Sequence, residues 1–281
     1  MLRTMKLLGV LLAAMIMSIA TAAEASTDWN ANVIQVKAVA PYPTMATNSA
    51  EAEYRARTAA MAIARRDLLA EVKGIQIDST TTVENGMLTS DLIVQKVSGL
   101  LRGARVVSEG ATAGGYEVVM ELPLFGSQNS LASAVIERTP TQTVEPFPTP
   151  APTYTPPVPT YTPPAPTYKP STSGNYTGLV IDCRGFSLKP VMSPVIFDAN
   201  YRTIYGHKYL DIDKVIRDGM ASYARDLSEA YRAGSNPLVV RAIGIDDLNA
   251  DPVISMEDTD RVLYENESSH FLEDTAVVFL Y

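Results

Sequence analysis

At 281 residues, with 46% apolar side chains, the chain is long enough to bury two small cores. Its 23 basic against 31 acidic residues give a formal charge of −8, which excludes a binder of phosphate backbones, since those need clustered Lys and Arg; no nucleic-acid partner is expected. The single cysteine, Cys183, excludes an internal disulfide.

The chain starts with Arg3 and Lys6, an apolar run from Leu7 to Ala20, and the small-x-small triplet Ala23-Glu24-Ala25. This is the pattern of an export signal over residues 1–25, with cleavage before Ser26. An uncleaved anchor is the competing reading, but the apolar run is shorter than the ~20 residues of a spanning helix. A mature chain without a transmembrane segment, periplasmic or secreted, is expected. Cys183 lies far from the leader, so no lipid anchor is expected there; inside its apolar run it reads as a buried small hydrophobe.

Residues 26–138 read as a first domain. Val33 to Val39 is β-branched and alternating, a strand that ends at Pro41-Tyr42-Pro43. From Asn48 the period becomes helical: Asn48 precedes Glu51 by three residues, a capping-box-like start, and Gly74 marks the stop. Ala52, Ala56, Ala59, Ile63 and Ala70 form the expected packing side. Glu51–Arg55 and Glu53–Arg57 are favourable i,i+4 pairs, and Arg55, Arg57, Arg65 and Arg66 do not share one face, so they read as a solvated surface rather than an anion stripe. Ile75 to Val83 reads as a strand closed by the turn Asn85-Gly86. Ser90 caps a helix burying Ile93, Val97, Leu100 and Leu101. Strands follow at Ala104 to Glu109 and Tyr116 to Leu122 around the Gly114-Gly115 turn, and Ser130 to Arg138 is compatible with a short helix. The pattern predicts an α+β fold with a mainly antiparallel sheet and helices on one face.

The stretches ARTAAMAIARRDLLAEVKGIQI, SGLLRGARVV and GYEVVMELPL resemble the LPP-twenty type of small surface lipoprotein and the related N-terminal domain of flagellar assembly protein T, over roughly Asn32 to Phe125. The resemblance implies a bacterial cell-envelope protein that acts by binding or scaffolding. It transfers no catalytic residues. Where the lipoproteins carry a lipid-modified cysteine after the leader, this chain has Ser26.

Residues 139–174 contain TPAPTYTPPVPTYTPPAPTYKPS, with Pro-Thr-Tyr returning every seven residues. Proline fixes φ and lacks an N–H, so an extended polyproline linker is expected, with a reach of roughly 110 Å at ~3.1 Å per residue. It reads as a stiff spacer, as a ligand for an aromatic groove, or as a Thr-rich glycosylated segment; Tyr154, Tyr161 and Tyr168 are its candidate interaction residues.

Residues 175–281 carry 17 acidic and 10 basic side chains, so nearly all of the acidity is here. Gly178 to Asp182 reads as a strand. Val195-Ile196-Phe197 and Thr203-Ile204-Tyr205 form a hairpin around Asp198-Ala199-Asn200. Asp211 to Arg232 reads as a helix interrupted at Gly219 and capped by Gly234. Leu238 to Ile245 is a buried strand, Ser255 to Asp258 opens a helix toward Tyr264, and Thr275 to Tyr281 closes the chain as a strand. A second α+β domain with a mainly antiparallel sheet is expected. Asp182 and Arg184 face the same way and read as an ion pair. The acidic group Asp246, Asp247, Asp251, Glu257, Asp258 and Asp260 lacks the ligand spacing and central glycine of a calcium loop. The stretch GLVIDCRGFSLKPVMSPVIFDANYRTIYG is similar to segments that accompany the first domain in exported bacterial proteins, and brings no function with it.

Neither His207 nor His270 sits in a zinc pattern, and no Gly-x-Ser-x-Gly, Walker or Rossmann motif occurs, so no metal, cofactor or catalytic residue is expected. The sequence thus describes a non-enzymatic binding or scaffold protein whose partners are envelope proteins or cell-wall components, with a surface-organelle or flagellar role as one version. The alternatives are a passive spacer or stalk, and a cell-wall-acting hydrolase with paired carboxylates.

Overall fold

The computed structural model describes residues 24–138, 143–151, 175–246 and 248–281. The expected leader up to Ala23 and most of the proline-rich segment, including Tyr154, Tyr161 and Tyr168, lie outside the described residues.

The first domain runs β1 (Glu24–Asp28), β2 (Val33–Ala40), α1 (Ser49–Gly74), α2 (Val83–Thr89), α3 (Asp91–Arg102), β3 (Arg105–Thr112), β4 (Gly115–Pro123) and α4 (Leu131–Val135). Its strands form an antiparallel sheet in the order β1-β2-β4-β3. The inward residues Ile34, Val36 and Ala38 of β2 and Val118 and Met120 of β4 are fully buried. The outward residues make a polar ladder: Lys37 to Glu117 at 2.9 Å, Gln35 to Glu121 at 3.0 Å and Arg105 to Glu121 at 2.9 Å. One face is therefore solvated and the other carries the helices, as the alternating pattern requires.

Asn48 caps α1 by accepting the Glu51 amide at 2.8 Å, as expected. The buried row, however, is Ala56, Ala60, Ala64, Leu68 and Val72. An i,i+4 row is inclined to the helix axis, and three alanines in succession bring the backbone close to β2 and β4. Arg55 pairs with Glu51 as expected, whereas Arg57 reaches away from Glu53 to make a bidentate pair with Glu109 on β3, at 2.9 and 3.0 Å.

Two local expectations change. The stretch from Ile75 to Val83 is a loop that retains one bridge, Gln76 to Thr82, because Asp78 takes the Thr80 and Thr81 amides, each at 2.8 Å, in competition with a ladder. Asn85-Gly86 lies within α2, since the Thr82 hydroxyl caps the Asn85 amide at 3.1 Å. The strand β1 was not signalled by its composition; it starts two residues ahead of Ser26, with Glu24 in register with Lys37.

The second domain contains β5 (Gly178–Asp182), β6 (Ile196–Asp198), β7 (Thr203–Tyr205), α5 (Ile212–Asp218), β8 (Ser222–Ala224), β9 (Pro237–Ile245), β10 (Pro252–Ile254), α6 (Met256–Ser269) and β11 (Val277–Leu280). Its seven strands lie in the order β7-β6-β10-β9-β5-β11-β8. The sheet is mixed rather than mainly antiparallel: β5 pairs parallel with β9 and β11, β11 with β8, and β10 with β6, while β9–β10 and β6–β7 are antiparallel. The reason is visible in β5 and β11, continuous apolar runs buried on both faces, which suit central parallel strands joined by crossovers. Gly178 admits the neighbouring chain so closely that a Cβ there would lie 2.5 Å from the Ala233 backbone.

The helix expected from Asp211 to Arg232 ends at Asp218, where Gly219 adopts φ +75°, and Ser222–Ala224 is an edge strand. Arg232 is mostly buried rather than on a helix surface. Its guanidinium donates to the carbonyls of Thr275, Asp218 and Gly219 at 2.6 to 2.7 Å, tying the end of α5 to the approach of β11. The strand β9 is covered on one face only, with Ile243 55% exposed on the other.

The two domains touch directly. The Met192 amide donates to the Gln76 carbonyl at 3.0 Å and the Ser193 amide to the Ile77 carbonyl at 2.7 Å; on the far side of the joint the Gly126 amide donates to the Ile216 carbonyl at 2.9 Å. Met192 and Ile216 join the first hydrophobic core, and Trp29 packs against both cores, its ring edge-on to Tyr223 at 5.6 Å. Arg138 and Asp213 add an exposed ion pair at 2.7 Å. The separation of the domains is thus set by contact and not by the reach of the proline-rich segment.

Residues 143–151 run along the second domain. Phe147 packs on Tyr209 at 5.1 Å, and the Ala151 amide donates to Asp260 on α6 at 2.8 Å. On the other flank, Arg261 of α6 donates to the Tyr176 hydroxyl at 3.2 Å. Both flanks of residues 152–174 are therefore held by neighbouring residues of one helix.

Two predictions follow from the joint. Trp29→Ala removes a half-buried aromatic shared by both cores and should cost about 3 kcal/mol, the low end for a tryptophan; calorimetry should show one unfolding transition split into two, whereas a single unshifted transition would contradict the packing. Replacing residues 152–174 with a Gly/Ser run of equal length should move the melting midpoint by less than about 2 °C, because the flanking contacts remain.

Candidate functional site

The joint leaves a cleft of about 320 Å³, walled by the first domain from Ser26 to Asn30 and by Tyr223, Ala224, Arg225, Glu229 and Tyr281 of the second. Its position follows from topology. The strand β1 is one edge of the first sheet and β8 one edge of the second, so the cleft lies beside two sheet edges.

Each wall is fixed by its own chain. Asp28 accepts the Asn30 and Ala31 amides at 2.9 and 2.8 Å, which turns the backbone and delivers Trp29 to the joint. Thr27 donates to Glu71 on α1 at 2.6 Å. On the other wall the Tyr223 hydroxyl donates to the Val191 carbonyl at 2.9 Å and accepts the Val191 amide at 3.0 Å; burial holds its phenol well above the ordinary range, so it stays neutral. Tyr223 also meets Phe279 at 5.4 Å and Tyr281 at 6.0 Å. The Arg225 guanidinium lies 4.0 Å over the Tyr281 ring, and its amide donates to Glu229 at 2.9 Å. Behind Trp29 a second hollow of about 250 Å³ is lined by Glu71, Gln76 and Pro190, and the buried Gln76 side-chain oxygen has no hydrogen-bond partner among the described residues.

The arrangement suits recognition: an aromatic floor, one cation, two carboxylates and backbone at two strand edges. Cys183 is fully buried and far from thiolate chemistry, since burial pushes its thiol up to about 12. Asp182 and Arg184 form the expected pair at 2.9 and 2.8 Å, which holds the Asp182 carboxyl below its usual range. Of the acidic group, Asp246 accepts the Ala250 and Asp251 amides, Asp258 joins the Ser255 cap of α6, and Asp260 holds Ala151, while Asp247 lies outside the described residues. His207 and His270 are exposed and lie outside the cleft.

None of the tyrosines proposed from sequence can be placed relative to this cleft, as they lie outside the described residues. The cleft residues were not singled out from sequence. Trp29 carries one usable signal, that it is the chain's one tryptophan, set between the polar residues Asp28 and Asn30.

Comparison with known proteins divides the chain in the same way. Residues 28–123 match the LPP20 lipoprotein family, and residues 178–281 match the second domain of Treponema pallidum Tp0624. No curated protein matches the chain. Over its first domain the chain is therefore similar to the LPP20 lipoprotein family, and over its second it is similar to the second domain of Treponema pallidum Tp0624.

Proposed function

We propose that this is an envelope-associated, lipoprotein-like protein that acts without catalysis, as a binding or scaffold module, and that the cleft at the joint is where it meets an envelope protein or a cell-wall component. The LPP20 match supports the envelope setting. Among the described residues no helix is long and apolar enough to cross a membrane, which is compatible with an exported, periplasmic or secreted chain.

The observation that carries the binding reading is the cleft itself. It is open, lies at two strand edges, and draws its walls from both domains, so a bound partner would sense their relative placement. A passive stalk has no need of this contact: a protein built to hold two bodies apart would not dock them through backbone hydrogen bonds and a shared tryptophan. The flagellar version rests on resemblance alone.

The test uses the full mature chain as bait for envelope fractions, beside a variant carrying Ser26→Arg and Asn30→Arg, which fills the cleft from exposed or half-buried positions. A captured component that falls at least ~10-fold with the variant, at unchanged melting temperature, supports the reading, since 1.4 kcal/mol is tenfold in affinity. Equal capture by both proteins removes the cleft as the site. Turnover of cell-wall material would replace binding by the hydrolase reading.

A further inference from the structure

Resting on the export reading, we infer that a signal peptidase cuts the Ala22–Ala23 bond, and not the bond before Ser26, so that the mature chain keeps the whole of strand β1 from Glu24. Two triplets carry the small-x-small pattern of such a cut, Ala20-Thr21-Ala22 and Ala23-Glu24-Ala25. Composition does not choose between them, but the fold does. Glu24 pairs with Lys37 and Ala25 with Val36, so the Ala25–Ser26 bond lies inside the strand. Ala25 is also half-buried and packs against the first hydrophobic core.

The later cut would leave only Ser26 to Asp28 of β1 and would place a charged α-amine on Ser26, the first residue of the cleft wall. The earlier cut leaves β1 entire, with the new amine on the residue ahead of it. The layout of the leader agrees. After Arg3 and Lys6, Leu7 to Met17 is an apolar run of 11 residues without a polar side chain, inside the roughly 7–15 residues of an export-signal core. Ser18 to Ala22 then forms the short stretch that ends at the cut. The reaction adds one water across the Ala22–Ala23 amide, leaving a carboxylate on Ala22 and an amine on Ala23. Pairing with β2 also protects the Ala25–Ser26 bond once the domain has folded, since a backbone held in a sheet cannot enter a protease as a free extended segment.

The full chain expressed in a bacterial host, recovered from the envelope fraction and read by intact mass and N-terminal sequencing, tests the assignment. The expected product starts at Ala23. A product starting at Ser26, or at any other residue, overturns it. Full-length chain left in the cytoplasm overturns it together with the export reading, whereas an exported chain with the wrong first residue leaves that reading standing. Ala22→Phe should abolish the Ala23 start, and Ala25→Leu, which alters the last position of the competing triplet alone, should keep it; the reverse pattern overturns the proposal. Purified chains starting at Ala23 and at Ser26 should differ in melting midpoint, the shorter one lower by about 2–4 °C. Equal midpoints would overturn the structural ground for the choice.

Discussion

The constraint on which the rest depends is the docking of the 75–82 loop and Trp29 of the first domain onto the second. A loop that turns on Asp78 cannot satisfy its own outward carbonyls, and the Gln76 and Ile77 oxygens are met by amides of the other domain. Trp29 then packs against both cores at once. From this follow the cleft beside it and the short distance between domains despite the proline-rich segment.

Much of the architecture was legible in the sequence because it rests on local chemistry. Asn48, Ser90 and Ser255 cap helices where their spacing said they would, Gly178–Asp182 is a strand over its expected span, and Asp198 organises the β6–β7 hairpin. What failed did so where long-range contacts decide. Ser222–Ala224 reads as helix by composition but becomes an edge strand because β11 offers it a parallel partner. The parallel pairing of β5 with β9 and β11 has no local signal, since a short apolar run looks alike in either kind of sheet.

The candidate site was less legible for a related reason. Its walls come from positions about 200 residues apart in sequence, joined only by the docking of the domains, and no motif spans such a gap. The tyrosine repeat attracted attention because it is periodic, whereas Trp29 is a single residue whose importance comes from what surrounds it. The proline-rich segment also takes a different meaning. Its flanking residues Ala151 and Tyr176 are both held at α6 of the second domain, so the contact between the domains does not depend on its reach.

The central claim is that the two domains form one docked body. Small-angle X-ray scattering of the full mature chain tests it most directly. The account predicts a single-peaked distance distribution with a radius of gyration near that of one globule, about 20 Å. A second peak, with a maximum dimension approaching the roughly 110 Å reach of an extended spacer, would contradict it.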